Sequence, residues 1–210
     1  MVTIAIDAMG GDFGPRVTIP SVLSSLKKYP DLNILLYGHR AKLDAYLHQG
    51  AASSRLEIIH TDQQVTGEEK VSAALRKRDS SMRLALDAVR DERAQAMVSA
   101  GNTGALVAVS RYVLKTLLGI DRPALIAKLP NIRGYSYMLD LGANIECDSE
   151  NLHQFAVMGS AYARVLGAGD SPKVGLLNIG SEEIKGNEEI RLANASLKDS
   201  DVVNYVGYLE

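Results

Sequence analysis

Four short stretches concentrate the residues that could do chemistry, and each follows an apolar run. Asp7-Ala-Met-Gly-Gly-Asp12 sets two carboxylates around adjacent glycines. Such glycines admit backbone angles closed to other residues and let a ligand approach the main chain. Ser99-Ala-Gly-Asn-Thr-Gly104 opens a helical pattern. Amides at a helix start point outward and carry the positive end of the dipole, so this is a candidate anion site. Ser99, Asn102 and Thr103 add side-chain hydrogen bonds there. Asp140-Leu-Gly-Ala-Asn144 and the stretch from Asn178-Ile-Gly180 to Lys185-Gly-Asn187 repeat the theme, the latter with Lys185 as a point charge. Taken singly, each is also ordinary turn and cap chemistry. Four at the carboxyl ends of one sheet's strands would form a polar, anion-accepting crevice, where open parallel sheets bind ligands.

Other chemistries lack their residues. No strand-like run is followed by G-x-G-x-x-G, and neither G-x-x-x-x-G-K-[ST] nor G-x-S-x-G occurs. No cofactor and no metal are expected. His39, His48, His60 and His153 are scattered and form no H-E-x-x-H pair. Ser24-Ser-Leu-Lys27 matches S-x-x-K, but Lys27 reads as the polar face of a helix. Cys147 has no histidine suitably placed in sequence and reads as a small buried thiol. Asn194-Ala-Ser196 matches a glycosylation acceptor without any secretory context.

The elements that must position these stretches are short strands alternating with helices. Strands are predicted over 2–7, 33–37, 55–60, 95–99, 124–128, 135–141, 173–178 and 203–207. Most are continuous apolar runs, as in a parallel sheet covered on both faces. Helices are predicted over Ser81–Glu92, Thr103–Leu118 and Ser149–Leu166. Their core faces are Met82, Ala85, Leu86 and Val89; Leu106, Val109, Val113 and Leu117; and Leu152, Phe155, Tyr162 and Leu166. Ala156, Gly159, Ser160 and Ala163 form a small-residue face suited to close packing on the sheet. The charged stretch 67–80 reads as the least regular part. The βαβα order predicts a doubly wound α/β sandwich with a mostly parallel sheet, read as a single α/β domain over 1–210.

Composition sets the outer limits. The 210 residues are 46% hydrophobic and 23% charged, with 23 Lys plus Arg against 25 Asp plus Glu. A chain of this size buries roughly 70% of its unfolded surface. A formal net charge of -2 leaves no basic excess for a dedicated nucleic-acid binder. One cysteine excludes an intrachain disulfide and a CxxC metal framework. No signal-peptide pattern precedes the first strand, and no apolar run reaches the ~18 residues that span a bilayer. The expected compartment is the cytoplasm, with peripheral membrane contact left open.

Taken in order, these loops resemble the PlsX family, the phosphate acyltransferases of bacterial phospholipid synthesis. The matching stretches are 7–12, Ala74-Leu-Arg-Lys-Arg-Asp-Ser-Ser-Met82, 98–106, Gly119-Ile-Asp-Arg-Pro-Ala-Leu125, 139–144, Gln154-Phe-Ala-Val-Met-Gly159, and 175–180 through 185–187. The resemblance implies a Rossmann-like three-layer α/β/α fold and transfer of a long fatty acyl group from acyl carrier protein to inorganic phosphate. The acyl phosphate product then goes to a membrane glycerol-3-phosphate acyltransferase. It also implies a homodimer and peripheral membrane association. Family members continue well past Glu210, so the chain is expected to be the N-terminal portion of a longer family domain.

In such a reaction phosphate is itself the nucleophile, and no serine or cysteine nucleophile is required. Phosphate binding is assigned to Gly101, Asn102, Thr103 and Gly104 with Ser99. Oxyanion donors are the backbone of Gly10 and Gly11, or Asn144. Arg76, Lys77 and Lys185 are candidates to hold phosphate or steer the acidic carrier. Asp7, Asp12 or Asp140 would orient these groups or move a proton, and Asp12 equally suits capping the following helix. Ser80, Ser81, Asn178, Gly180 and Asn187 complete the expected substrate-binding set. Two alternatives stand beside this reading. One is an NAD(P)-dependent oxidoreductase or decarboxylating dehydrogenase on a related framework; the other is a non-catalytic scaffold that binds acyl carrier protein.

Overall fold

The structure, a computed structural model, describes residues 1–47, 53–180 and 186–210. It divides into two compact units, Met1–Lys115 and Thr116–Glu210. The first holds β1 (Val2–Asp7), α1 (Pro15–Lys28), β2 (Leu32–Gly38), α2 (Arg40–Asp44), β3 (Leu56–His60), α3 (Val71–Ala74), α4 (Ser81–Arg90), β4 (Ala96–Ser99) and α5 (Thr103–Leu114). Its strands form one parallel sheet in the order β3-β2-β1-β4. Ile4 pairs with Ile34 on one side and with Ala96 on the other. The chain winds from β1 through β2 to β3, then returns to the far side of β1 for β4. Such a reversal opens a crevice at the carboxyl ends of the two strands it separates, here β1 and β4.

Alternate side chains of a strand point to opposite faces, and β2 is buried on both. Ile34 and Leu36 join Ile19, Val22 and Leu26 of α1. Leu35 and Tyr37 join Ala85 and Ala88 of α4. That two-sided cover is why β2 is written as an unbroken apolar run. Pro15 opens α1, where its fixed φ suits the first turn. Met82 and Leu86 of α4 pack against Ala105, Val109 and Val113 of α5. Truncating a fully buried side chain such as Leu86 to alanine would cost about 2–5 kcal/mol.

The second unit holds β5 (Ile126–Asn131), β6 (Gly134–Leu139), α6 (Ser149–Val165), β7 (Lys173–Leu177), α7 (Glu188–Lys198) and β8 (Asn204–Leu209). β7 and β8 pair in parallel, with α7 as the crossover. α6 packs on α7, β6 and β7, and α7 on β8. Gly159 of α6 faces β6 so closely that a Cβ there would lie 3.1 Å from Leu139 Cδ1, so the small-residue face serves packing.

Three expectations are corrected. β5 and β6 pair antiparallel around Ile132-Arg133, outside any parallel sheet, because so short a link can only double back. α5 ends at Leu114, where Lys115 takes φ 67; Leu117 lies beyond the helix and is 81% exposed rather than core. Tyr162 on α6 and Leu166 just past its end stand half exposed, and the helix's buried stripe runs through Asn151, Phe155 and Ala163. The 67–80 stretch contains α3 and is tied down, as described next.

Candidate functional site

In the first unit, Asp7 ends β1, Ser99 ends β4, and the register pairs them. Asp7 is only 3% exposed. Its Oδ2 accepts the Ser99 hydroxyl at 2.7 Å. Its Oδ1 accepts the Ser81 hydroxyl at 2.6 Å and the Met9 amide at 3.2 Å. Ser99 Oγ in turn accepts the Gly101 amide at 3.1 Å. One carboxylate therefore ties the ends of two strands to the start of α4 and, through Ser99, to the approach of α5. Gly10 crosses directly over this junction. A Cβ there would lie 2.8 Å from Asp7 Oδ2 and Gly101 N, and 2.9 Å from Ser99 Oγ. Gly11 takes φ +83, and a Cβ on it would meet the Ala100 carbonyl at 2.8 Å. The two glycine loops touch, and only glycine allows it.

Asn102 works in two directions. Its Oδ1 caps α5 by accepting the Ala105 amide at 2.9 Å. Its Nδ2 donates to the carbonyls of Gly67 at 2.7 Å and Glu69 at 3.3 Å. Thr103 and Gly104 form the exposed first turn of α5. Among the described residues their amides have no acceptor. Those two N–H groups, with the positive end of the helix dipole behind them, are suited to an anion.

The other residues expected here divide sharply. Ser80 caps α4, accepting the Arg83 amide at 3.3 Å and donating to the Lys77 carbonyl at 2.9 Å. Ser81 is committed to Asp7, so both serines are spent inside the fold. Lys77 Nζ sits 2.8 Å from Glu69 Oε2 and 2.9 Å from the Gln64 carbonyl. That ammonium holds the Glu69 carboxyl below its usual range. Arg76 and Asp12 are exposed. The cap position of α1 belongs to Gly14 and carries no side-chain cap bond, so Asp12 does not cap it.

In the second unit, Asp140 follows β6. Its Oδ1 accepts the amides of Leu125 at 2.7 Å and Ala143 at 3.3 Å. Its Oδ2 accepts the Asn144 amide at 2.9 Å and Asn144 Nδ2 at 3.1 Å. Burial pushes this carboxyl up, but the hydrogen bonds from Leu125, Asn144 and Ala143 together outweigh it and hold it below its ordinary value. Asn144 Nδ2 also donates to the Pro123 carbonyl at 3.0 Å, so its carboxamide hydrogens are committed within the loop. Cys147 is half-buried rather than the buried thiol expected, and partial burial, reinforced by the Asp140 charge, pushes its thiol up. Asn178 is buried, and its amide donates to the Leu209 carbonyl at 2.8 Å. Gly186, at φ +89, passes so near that a Cβ would lie 2.6 Å from Asn178 Oδ1. Asn187 caps α7 by accepting the Ile190 amide at 2.9 Å. Gly180 is buried. Lys185 lies outside the described residues.

Sequence reasoning missed one cluster. His39 and His60, at the carboxyl ends of β2 and β3, each place Nε2 3.4 Å from Asp62 Oδ1. His60 Nδ1 accepts the Arg40 amide at 3.1 Å. The neutral ring therefore keeps its proton on Nε2, facing Asp62, and offers no lone pair there to a metal. The available signal was position: each histidine stands where an apolar run ends. Asn194 is buried and accepts the Tyr205 hydroxyl at 2.7 Å, which takes it out of reach of glycosylation.

Residues 2–210 match the family model described as "Fatty acid synthesis protein". A protein of Shewanella baltica named Phosphate acyltransferase is 53% identical over 213 residues, covering 100% of this chain and 62% of its own length. One of the same name from Hydrogenovibrio crunogenus is 53% identical over 211 residues, covering 100% and 63%. The chain thus spans under two thirds of these relatives. Among solved structures, EutD phosphotransacetylase from Staphylococcus aureus matches with TM-score 0.67 at 16% identity, covering 100% of this chain and 68% of that one. A branched-chain phosphotransacylase from Enterococcus faecalis V583 matches with TM-score 0.65 at 14% identity and the same coverage. At such identities the likeness shows a shared α/β fold.

Proposed function

The chain belongs to the fatty acid synthesis protein family, and from that membership we propose that it is part of a phosphate acyltransferase, moving a long-chain fatty acyl group from acyl carrier protein to inorganic phosphate. The observation that carries this reading is the open first turn of α5 beside the Gly10–Gly11 loop, in a chain 53% identical along its whole length to proteins bearing that name. The family match runs without interruption through both compact units, which supports reading 1–210 as part of one family domain.

Hydrogen phosphate would sit on the amides of Thr103 and Gly104. One of its oxygens attacks the thioester carbonyl carbon, and a C–O bond forms. The tetrahedral oxyanion collapses, the C–S bond breaks, and the departing thiolate takes the proton that hydrogen phosphate gives up. Acyl phosphate and free carrier thiol result. The protein's task is to bind the dianion, hold it about 3–3.5 Å from the carbonyl carbon, and meet the oxyanion with fixed donors. The Gly10 and Gly11 amides suit that last role in the first unit. Asn144, in the second unit, has its carboxamide hydrogens taken by Asp140 and Pro123 and is not used in this role. Arg76 and Lys185 would steer the acidic carrier; Lys77, paired with Glu69, would instead brace the loop above α5.

The same reading extends to a homodimer that delivers acyl phosphate to a membrane glycerol-3-phosphate acyltransferase. The test is release of carrier thiol from palmitoyl-acyl carrier protein, with and without phosphate. It is run on this chain and on one of the relatives' full length. Phosphate-dependent release in either supports the reading. Its absence in both would refute it and leave carrier binding without turnover ahead.

A further inference from the structure

Asp7 is a puzzle in a site that should hold a dianion, because a buried carboxylate beside it would repel the substrate. Its bonds resolve the puzzle. Both oxygens are occupied by donors from Ser99, Ser81 and Met9, and Gly10 lies across the carboxylate. With Asp7 only 3% exposed and Gly10 across Oδ2, neither oxygen can reach a ligand or take its proton. The one path from Asp7 toward the anion site is the Ser99 hydroxyl. That hydroxyl gives its hydrogen to Oδ2 and so must turn a lone pair to the Gly101 amide at 3.1 Å. Two residues later the chain enters the first turn of α5.

We infer that Asp7 is a positioning residue: acting through Ser99, it fixes the 99–104 backbone so that the Thr103 and Gly104 amides converge on phosphate. This rests on the acyltransferase reading of the α5 site. Asn in place of Asp7 is a discriminating change. The Met9 amide is a fixed donor, so the new NH2 group must face Ser99. The Ser99 oxygen then receives two donors, and its own hydrogen loses its acceptor.

The experiment uses the unsubstituted chain, Asp7→Asn, Ser99→Ala and the double variant, with Ser99→Thr keeping the hydroxyl and Ser81→Ala removing the other arm. The first readout, hydrogen exchange of the Gly101 amide by NMR, needs no activity. Exchange should speed about tenfold in Ser99→Ala, the size expected for one lost hydrogen bond, and several-fold in Asp7→Asn. The double variant should exchange no faster than Ser99→Ala, while Ser99→Thr and Ser81→Ala stay slow. The α1 amides report general loosening, and an equal rise there would overturn the inference. The second readout is the thiol-release assay. Phosphate KM should rise about tenfold in Asp7→Asn with kcat within about twofold, and the effect should vanish in the Ser99→Ala background. A fall in kcat, or additive effects of the two substitutions, would mean direct contact or proton transfer and would overturn it. So would unchanged Gly101 exchange in Asp7→Asn. If the unsubstituted chain shows no phosphate-dependent release, the kinetic arm is run in the chain of the relatives' full length; if that is silent too, the acyltransferase reading fails, and the exchange arm alone judges the Asp7–Ser99 tether.

Discussion

Asp7 and Asp140 look alike in the sequence: each closes an apolar strand and precedes a glycine-containing loop. The structure separates them by where their partners come from. Asp7 takes hydroxyls from residues 74 and 92 positions away, and so joins three elements of its unit at the crevice between β1 and β4. Asp140 takes most of its donors from Ala143 and Asn144, three and four positions on, with Leu125 fifteen positions back. The first is a joint and the second closes a turn. A carboxylate after a strand therefore does not announce a catalytic group; its donors decide whether it organises a site or its own loop.

The comparison can be broken by removing each carboxylate. Asp7→Ala deletes three hydrogen bonds and leaves the buried Ser81 hydroxyl and the half-buried Ser99 hydroxyl without their acceptor, so unfolding free energy should fall by about 3 kcal/mol. Urea denaturation measures it, and a loss under about 1 kcal/mol would deny the joint. Next in size is Gly10→Ala, whose Cβ would collide with Asp7 Oδ2 and the Gly101 nitrogen. Overpacking of this kind costs about 1–3 kcal/mol, and the displaced loop should abolish phosphate-dependent stabilisation in a thermal-shift assay. Gly142→Ala, in the Asp140 loop, is the contrast. Nothing lies within 4 Å of its Cβ position, but its φ of +86 is left-handed. It should cost only the backbone penalty of about 1 kcal/mol, seen as a small shift in the urea midpoint.

Much of this was legible from residue order. β1 was read to the residue and β2 within one residue at each end, because two-sided burial writes itself as an apolar run. The rule that ligands gather at strand carboxyl ends put four loops on one sheet; two of them meet there, while the loops at Asp140 and Asn178 follow strands of two other sheets in the second unit. The commitment of Ser81 to Asp7 was not legible, since nothing local marks a serine whose partner is 74 positions away. Nor was the His39–Asp62–His60 cluster, which exists only because β2 and β3 are neighbours. The β5–β6 hairpin was legible and missed. Asn131-Ile-Arg-Gly134 is too short for a crossover, and Gly134, at φ 139, supplies the turn's unusual backbone.

The smallest effects test Asp140 by titration. Its carboxyl is held below the ordinary value in the folded chain, so the folded state binds fewer protons there than the unfolded one. The stability this gives is fully present above the unfolded value of about 3.9 and is lost as pH falls through the folded value. Urea midpoints should therefore drop more steeply below about pH 4 in the unsubstituted chain than in Asp140→Asn. That variant should already be weakened by about 1 kcal/mol at pH 7, because its NH2 would face an Asn144 donor or the Leu125 amide. Cys147 reports the same charge from the other side. Burial first and Asp140 second raise its thiol, so alkylation by iodoacetamide should have its pH midpoint above that of a free cysteine. In Asp140→Asn the midpoint should move down, because the larger of the two charges that raise it, Asp140 and Asp148, is gone and the loosened loop admits water. An unchanged midpoint would mean that the Asp140 charge is screened within its own ring of amides.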